Sequence, residues 1–138
     1  MGDIVGGCLC GRVRYRATAP ALFTANCHCT HCQKTSGSAF SVVLGVPRDS
    51  LVFEGGPIST YRDTGESGLP VDRKFCPNCG SPLVSEVAAA PALAFLKAGT
   101  LDDTSGVKPQ MDIWCEQAQP WVPPNEGAAR IPRNPPLG

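Results

Sequence analysis

Residues 75–83 read FCPNCGSPL. Cys76 and Cys79 are separated by two residues, and Pro77 and Gly80 shape the turn that carries them. Such a knuckle aims both sulfurs at one point and turns backbone N–H groups toward them, which is half of a structural zinc site. The other half needs two more ligands. Cys8 and Cys10, in GCLCG at 7–11, supply them, because residues i and i+2 of an extended chain face the same side. A disulfide pair and a redox dithiol are the alternatives. A redox Cys-x-x-Cys opens a helix, whereas the segment after Gly80, SPLVSEV, carries Pro82 and β-branched residues. The spacing therefore predicts a closed four-thiolate metal site on Cys8, Cys10, Cys76 and Cys79 that ties the N-terminal region to mid-chain.

A second cluster lies in NCHCTHCQKTSG, residues 26–37, where Cys27, Cys29 and Cys32 fall close together. Three protein ligands with an open fourth position is the pattern of a catalytic zinc, and four is the pattern of a structural one. The fourth position here is either open or closed by His31 or Cys115. Cys27 and Cys29 share a side, which turns His28 away from the metal and toward a neighbouring side chain. Cys115, beside Trp114, reads as a buried apolar thiol on a strand.

Working outward, 138 residues fit one domain. Fourteen prolines and fifteen glycines put much of the chain in turns and irregular loops, and the cysteine staples compensate for a small core. In RVRYRA, 12–17, Val13, Tyr15 and Ala17 alternate onto one strand face. Strands are also expected at 38–46, 49–56 and 57–63, together reading as a meander. Further strands are expected at 71–76, after the knuckle to 87, from 92, and at 111–122. From Pro123 the Pro-rich segment 123–138 reads as an extended or mobile tail, so the chain divides into a domain at 1–122 and that tail. No long amphipathic helix is evident, and the class is mainly β, a single domain with irregular loops.

Twelve basic residues balance twelve acidic ones, which argues against a nucleic-acid partner. The first residues lack the basic and apolar regions of a signal peptide, and Gly6 stands where myristoylation needs Ser or Thr. No run approaches the ~18 apolar residues of a membrane span. A cytoplasmic protein with reduced thiols is expected, with no membrane partner.

The order GCLCG (7–11), CHCTHCQKTSGSAF (27–40), FCPNCGSPL (75–83) and PWV (120–122) resembles the glutathione-dependent formaldehyde-activating enzyme family, which includes S-(hydroxymethyl)glutathione synthase and centromere protein V-like proteins. The resemblance spans roughly residues 5–122. It implies a β-tent, zinc-ribbon-like fold. It implies two zinc ions, a structural one on Cys8, Cys10, Cys76 and Cys79 and a catalytic one on Cys27, Cys29 and Cys32. It also implies carbon–sulfur lyase or synthase chemistry on an adduct of glutathione, or another thiol, with an aldehyde. One departure is Asp112-Ile113-Trp114, where members often carry His-Ile-Trp; a pocket position there would alter substrate preference.

Metal coordination favours the thiolate form of a bound thiol, and a thiolate attacks the carbonyl carbon of an aldehyde. Glutathione carries two carboxylates, for which Lys34, Arg48, Arg62, Arg73 and Lys74 are candidates, Lys34 first by its place after Cys32. Backbone N–H groups at Ser36, Gly37 and Ser38 are further candidates for substrate contact. The alternative function is a non-enzymatic zinc scaffold with two structural metals. The sequence leaves a homo-oligomer open.

Overall fold

The computed structural model describes residues 3–65 and 68–135. Two sheets carry the fold. β1 (Ile4–Gly7), β2 (Val13–Ala17) and β5 (Leu51–Gly55) form a three-stranded antiparallel sheet in the order β1-β2-β5. The larger sheet uses β3 (Phe23–Cys27), β4 (Ser41–Pro47), β6 (Ser59–Thr64), β7 (Pro70–Phe75), β8 (Pro82–Val87), β9 (Leu93–Lys97), β10 (Met111–Ile113) and β11 (Ala129–Arg130). Its order is β11-β10-β3-β4-β9-β8-β7-β6, antiparallel except where β10 pairs in parallel with β3 and β11. The mainly β expectation holds.

The core lies between the sheets. Val13, Tyr15 and Ala17 alternate inward from β2, as the sequence pattern predicts, and meet Leu44 and Val46 of β4 and Ala94 and Leu96 of β9. Leu83 and Leu96 are fully buried, and each such side chain contributes about 2 kcal/mol by leaving water. The Tyr15 hydroxyl bonds Thr100 Oγ1 at 2.7 Å, satisfying the one polar atom the ring takes inside.

The alternation that sends these residues inward sends their neighbours to the opposite face of the larger sheet. The registers Cys27↔Ser41, Val43↔Lys97, Ser85↔Phe95 and Arg73↔Ser85 keep those neighbours in line across the strands. This second face carries a smaller apolar cluster of Ala25, Cys27, Val43, Ile113 and Trp114.

Three expectations are corrected. The strands between 38 and 63 are not a meander. β4 sits mid-sheet between β3 and β9, β5 crosses to pair with β2, and β6 lies at the far edge beside β7. The expected strand at 111–122 stops at Ile113, because Trp114 adopts a left-handed backbone (φ 57°, ψ 39°) and Cys115–Gln117 coil into a 3-10 turn. The segment after Pro123 returns to the body. Ala129 N–H donates to Gln110 O at 3.1 Å, Ile131 N–H to Asp112 O at 2.8 Å and Trp114 N–H to Arg133 O at 3.1 Å. Among the described residues no helix is long and apolar enough to cross a membrane.

Candidate functional site

The four-cysteine cluster is built from two matching turns. Cys8 O accepts from Gly11 N–H at 3.1 Å, and Cys76 O accepts from Gly80 N–H at 2.8 Å. Both glycines are left-handed, at φ 81° and 79°, a conformation that a side chain at either position would strain. Leu9 N–H donates to Ser81 Oγ at 3.0 Å and locks one turn to the other. The sulfurs of Cys8, Cys10, Cys76 and Cys79 all lie within 4.8 Å of one another. Cys8 and Cys10 Sγ stand 3.6 Å apart, and Cys10 and Cys76 Sγ 3.8 Å. Sulfurs around a tetrahedral ion at Zn–S distances of 2.3 Å stand about 3.8 Å apart, so the set fits such an ion. The hydrogen bond from Ser81 Oγ, with backbone N–H groups behind it, holds the Cys79 thiol down to about 5 and favours the thiolate that a metal takes.

The three-cysteine cluster sits where β3 runs into a helix. Cys27 ends β3, and Cys29 caps α1 (Thr30–Ser36), its sulfur accepting from Cys32 N–H at 3.3 Å. One helical turn then brings Cys32 back over Cys29, as residues i and i+3 on a helix must meet. Gly37, left-handed at φ 63°, ends the helix. The three sulfurs lie within 4.8 Å of one another. Neither His31 nor Cys115 joins them. His31 Nδ1 bonds Asp63 Oδ2 at 2.6 Å, and the Cys115 thiol, in its 3-10 turn, donates to Asp112 O at 3.3 Å. Cys27 and Cys29 donate to Cys32, and with positive potential from Lys97 and Arg73 they pull the Cys32 thiol down to about 2, while Cys27 is pushed up.

These thiols form one wall of a cleft of about 120 Å³ on the second face of the larger sheet. Val43, Val71, Val87, Phe95, Ile113 and Trp114 give it an apolar lining, and Arg73 and Lys97 bring charge. Arg73 Nε donates to Asp63 Oδ2 at 2.9 Å, so Asp63 is held between Arg73 and His31. Burial pushes Asp63 up, but those two hydrogen bonds outweigh it and leave the carboxyl below its ordinary value. Lys97 is buried and donates to Ser41 Oγ at 2.9 Å.

Of the cations expected from sequence, the cleft takes Arg73 alone; Lys74 and Arg48 pair with Glu86, and Arg62 with Asp72. Lys34 and Gly37 line a separate shallow depression with Gln119 and Trp121, and Ser36 Oγ donates to Cys32 O at 2.6 Å. Asp112 is no pocket residue. Alternation along β10 turns Ile113 into the cleft and Asp112 away, where it accepts from Asn26 Nδ2 at 3.0 Å and from Arg130 Nη1 at 3.2 Å. His28 packs there too, its Nε2 3.4 Å from Asp112 Oδ1 without a hydrogen bond, its ring against Phe40. The sequence reading missed Lys97, Phe95 and Asn134, which all line the cleft. Only Lys97 left a signal, a lone charge ending the apolar run ALAFLK.

A model of the family described as glutathione-dependent formaldehyde-activating enzyme matches residues 3–117. The chain belongs to that family. A curated relative from Halomonas elongata, provisionally named as a glutathione-dependent formaldehyde-activating enzyme, is 30% identical over 122 residues, covering 85% of this chain and 78% of the relative. A Rhodobacter sphaeroides protein of known crystal structure shares the fold, with a TM-score of 0.60 at 19% identity, over 77% of this chain and 92% of that one. The family's name describes enzymes acting on formaldehyde with glutathione, and both cysteine groups of this chain can hold metal ions.

Proposed function

We propose that the chain is a zinc-dependent carbon–sulfur lyase or synthase that makes or cleaves the adduct of a thiol, glutathione first, with formaldehyde. The observation that carries the reading is the trio of Cys27, Cys29 and Cys32 exposed to an apolar cleft with no fourth protein ligand beside them among the described residues. The four-thiol group on Cys8, Cys10, Cys76 and Cys79 is a complete donor set, so it serves as the structural site, far from any need for substrate. A zinc on the trio supplies a coordination position that favours the thiolate form of an incoming thiol. Three thiolates already make the site anionic, which suits holding a sulfur nucleophile better than generating hydroxide.

The chain's own residues do the remainder. Val43, Phe95 and Ile113 exclude water around the reacting sulfur and carbon, and the walls restrict the thiol to one approach. The addition is facile without an enzyme, so orientation is the main contribution. Arg73, fixed by Asp63, offers a cation for a substrate carboxylate at the cleft.

The test is the rate of S-hydroxymethylglutathione formation from glutathione and formaldehyde, followed by NMR exchange. Zinc-loaded wild type should accelerate it and the Cys29→Ser variant should not. Equal rates with and without protein would remove this substrate pair and leave the two-metal scaffold as the reading.

A further inference from the structure

Lys97 is a buried charge that the fold does not need. It ends β9 opposite Val43 and shares a face with Phe95, where an apolar side chain would pack. The residue is only 9% exposed. Its ammonium donates to Ser41 Oγ, and no carboxylate pairs with it among the described residues. Arg73, the other cation of the cleft, has its carboxylate partner in Asp63. A buried, unpaired ammonium is strongly disfavoured unless an anion faces it. Lys97 lines the same cleft as the three thiols, so the anions that face it are their thiolates and any anion that enters the cleft.

The thiolates account for part of this. They share both cations of the cleft, Lys97 and Arg73, and Arg73 is held in place by Asp63. Lys97 has a long flexible stem and spends one of its three donors on Ser41, leaving two to turn into the cleft. Building on the thiol–aldehyde reading above, we infer that Lys97 is a catalytic residue whose ammonium receives the aldehyde oxygen as it becomes negative. In that step the sulfur electron pair forms the C–S bond and the C=O π pair moves onto oxygen. The oxygen then takes from water the proton that the thiol released on binding. In reverse, Lys97 steadies the same alkoxide as the C–S bond breaks. A cation already standing in this apolar-lined cleft acts on the charge that develops in the transition state, and so raises kcat more than it tightens substrate binding.

The experiment uses the full zinc-loaded chain and the variants Lys97→Met and Lys97→Arg, each checked for zinc content and native circular dichroism. Lys97→Met should lose about 10²–10³ in kcat with little change in KM for the thiol, and Lys97→Arg should recover part of the loss. The second readout is binding. By calorimetry, the wild type should prefer mercaptoacetate over 2-mercaptoethanol by about tenfold, the worth of one charge-assisted hydrogen bond. That preference should fall several-fold in Lys97→Met, where Arg73 alone is left to meet the carboxylate, and persist in Lys97→Arg. A folded Lys97→Met variant with wild-type kcat and wild-type preference overturns the inference. So does loss of zinc in that variant, which would make Lys97 a counter-ion of the thiolates alone. A wild type that keeps the Lys97-dependent preference but accelerates no adduct formation overturns the thiol–aldehyde reaction and not the anion site.

Discussion

Trp114 shows how one strained residue joins distant parts of the chain. Its left-handed backbone is unfavourable for an aromatic residue and persists only because neighbours fix it. The tail does so twice, through Arg133 O on the backbone and Asn134 Oδ1 on the indole Nε1 at 2.8 Å. Asn134→Ala should therefore cost about 1 kcal/mol in urea unfolding and raise KM for the thiol, since the indole forms a cleft wall. A variant with unchanged KM would mean that Trp114 holds its place without Asn134. Asp63 is a second residue-scale lever. Its carboxyl, depressed by His31 and Arg73 against the pull of burial, contributes stability above the ordinary value of 3.8 and loses it as pH falls through its lower folded value. The stability advantage of wild type over Asp63→Asn should be full at pH 7 and shrink below pH 3.8, read by urea denaturation across that range. An advantage that grows on acidification would reverse the sign of the assignment. At this scale the seven clustered cysteines were legible from spacing alone. Lys97 and Asn134 were not, because a residue's place at a cleft depends on which strands lie side by side.

At the scale of elements, the knuckles and the cap of α1 divide the labour between the two cysteine groups. The knuckles bridge β1–β2 to the β7–β8 turn, so a metal held there would join the sheets. Cys76→Ser should leave the chain largely unfolded at 25 °C, because binding at such a site is folding free energy. Cys29→Ser keeps a side-chain acceptor at the N-cap, since serine is itself a favoured cap, and removes one thiol of the trio, so it should stay folded. Circular dichroism and thermal melts of the two variants test the division, and the opposite ranking would exchange the roles of the sites. Strand existence was readable because β2 shows a period of two, and Cys8, Cys10 and the knuckle followed from ligand geometry. Strand partners were not readable. β5 looks like the next strand after β4, yet its pairing with β2 is set by packing across the core, which no local pattern encodes. The helix at 30–36 was hidden by Thr and Ser, weak helix formers whose place is fixed by Cys29 at one end and Gly37 at the other.

Across the whole molecule, one parity runs through the larger sheet. The same alternation that buries Leu44, Val46 and Leu96 presents Val43, Phe95 and Lys97 to the cleft, so core and site share strands without sharing residues. The tail closes the opposite side by parallel pairing of β11 with β10 and by Arg130 on the buried Asp112. Removing residues 123–138 should cost about 3 kcal/mol, the scale of a buried carboxylate left without its cation, measurable by urea denaturation of the truncated chain. Unchanged stability would mean the tail only decorates the fold. The tail's role was illegible because β11 is two residues in a Pro-rich segment, far too short for any periodicity. The central claim is that the Cys27, Cys29 and Cys32 site accepts a fourth sulfur from substrate. X-ray absorption at the zinc edge tests it most directly. Averaged over a four-thiolate and a three-thiolate site, zinc should show about 3.5 sulfur neighbours alone and about 4 once glutathione is added. Four sulfurs before addition, with no change after it, would contradict the account.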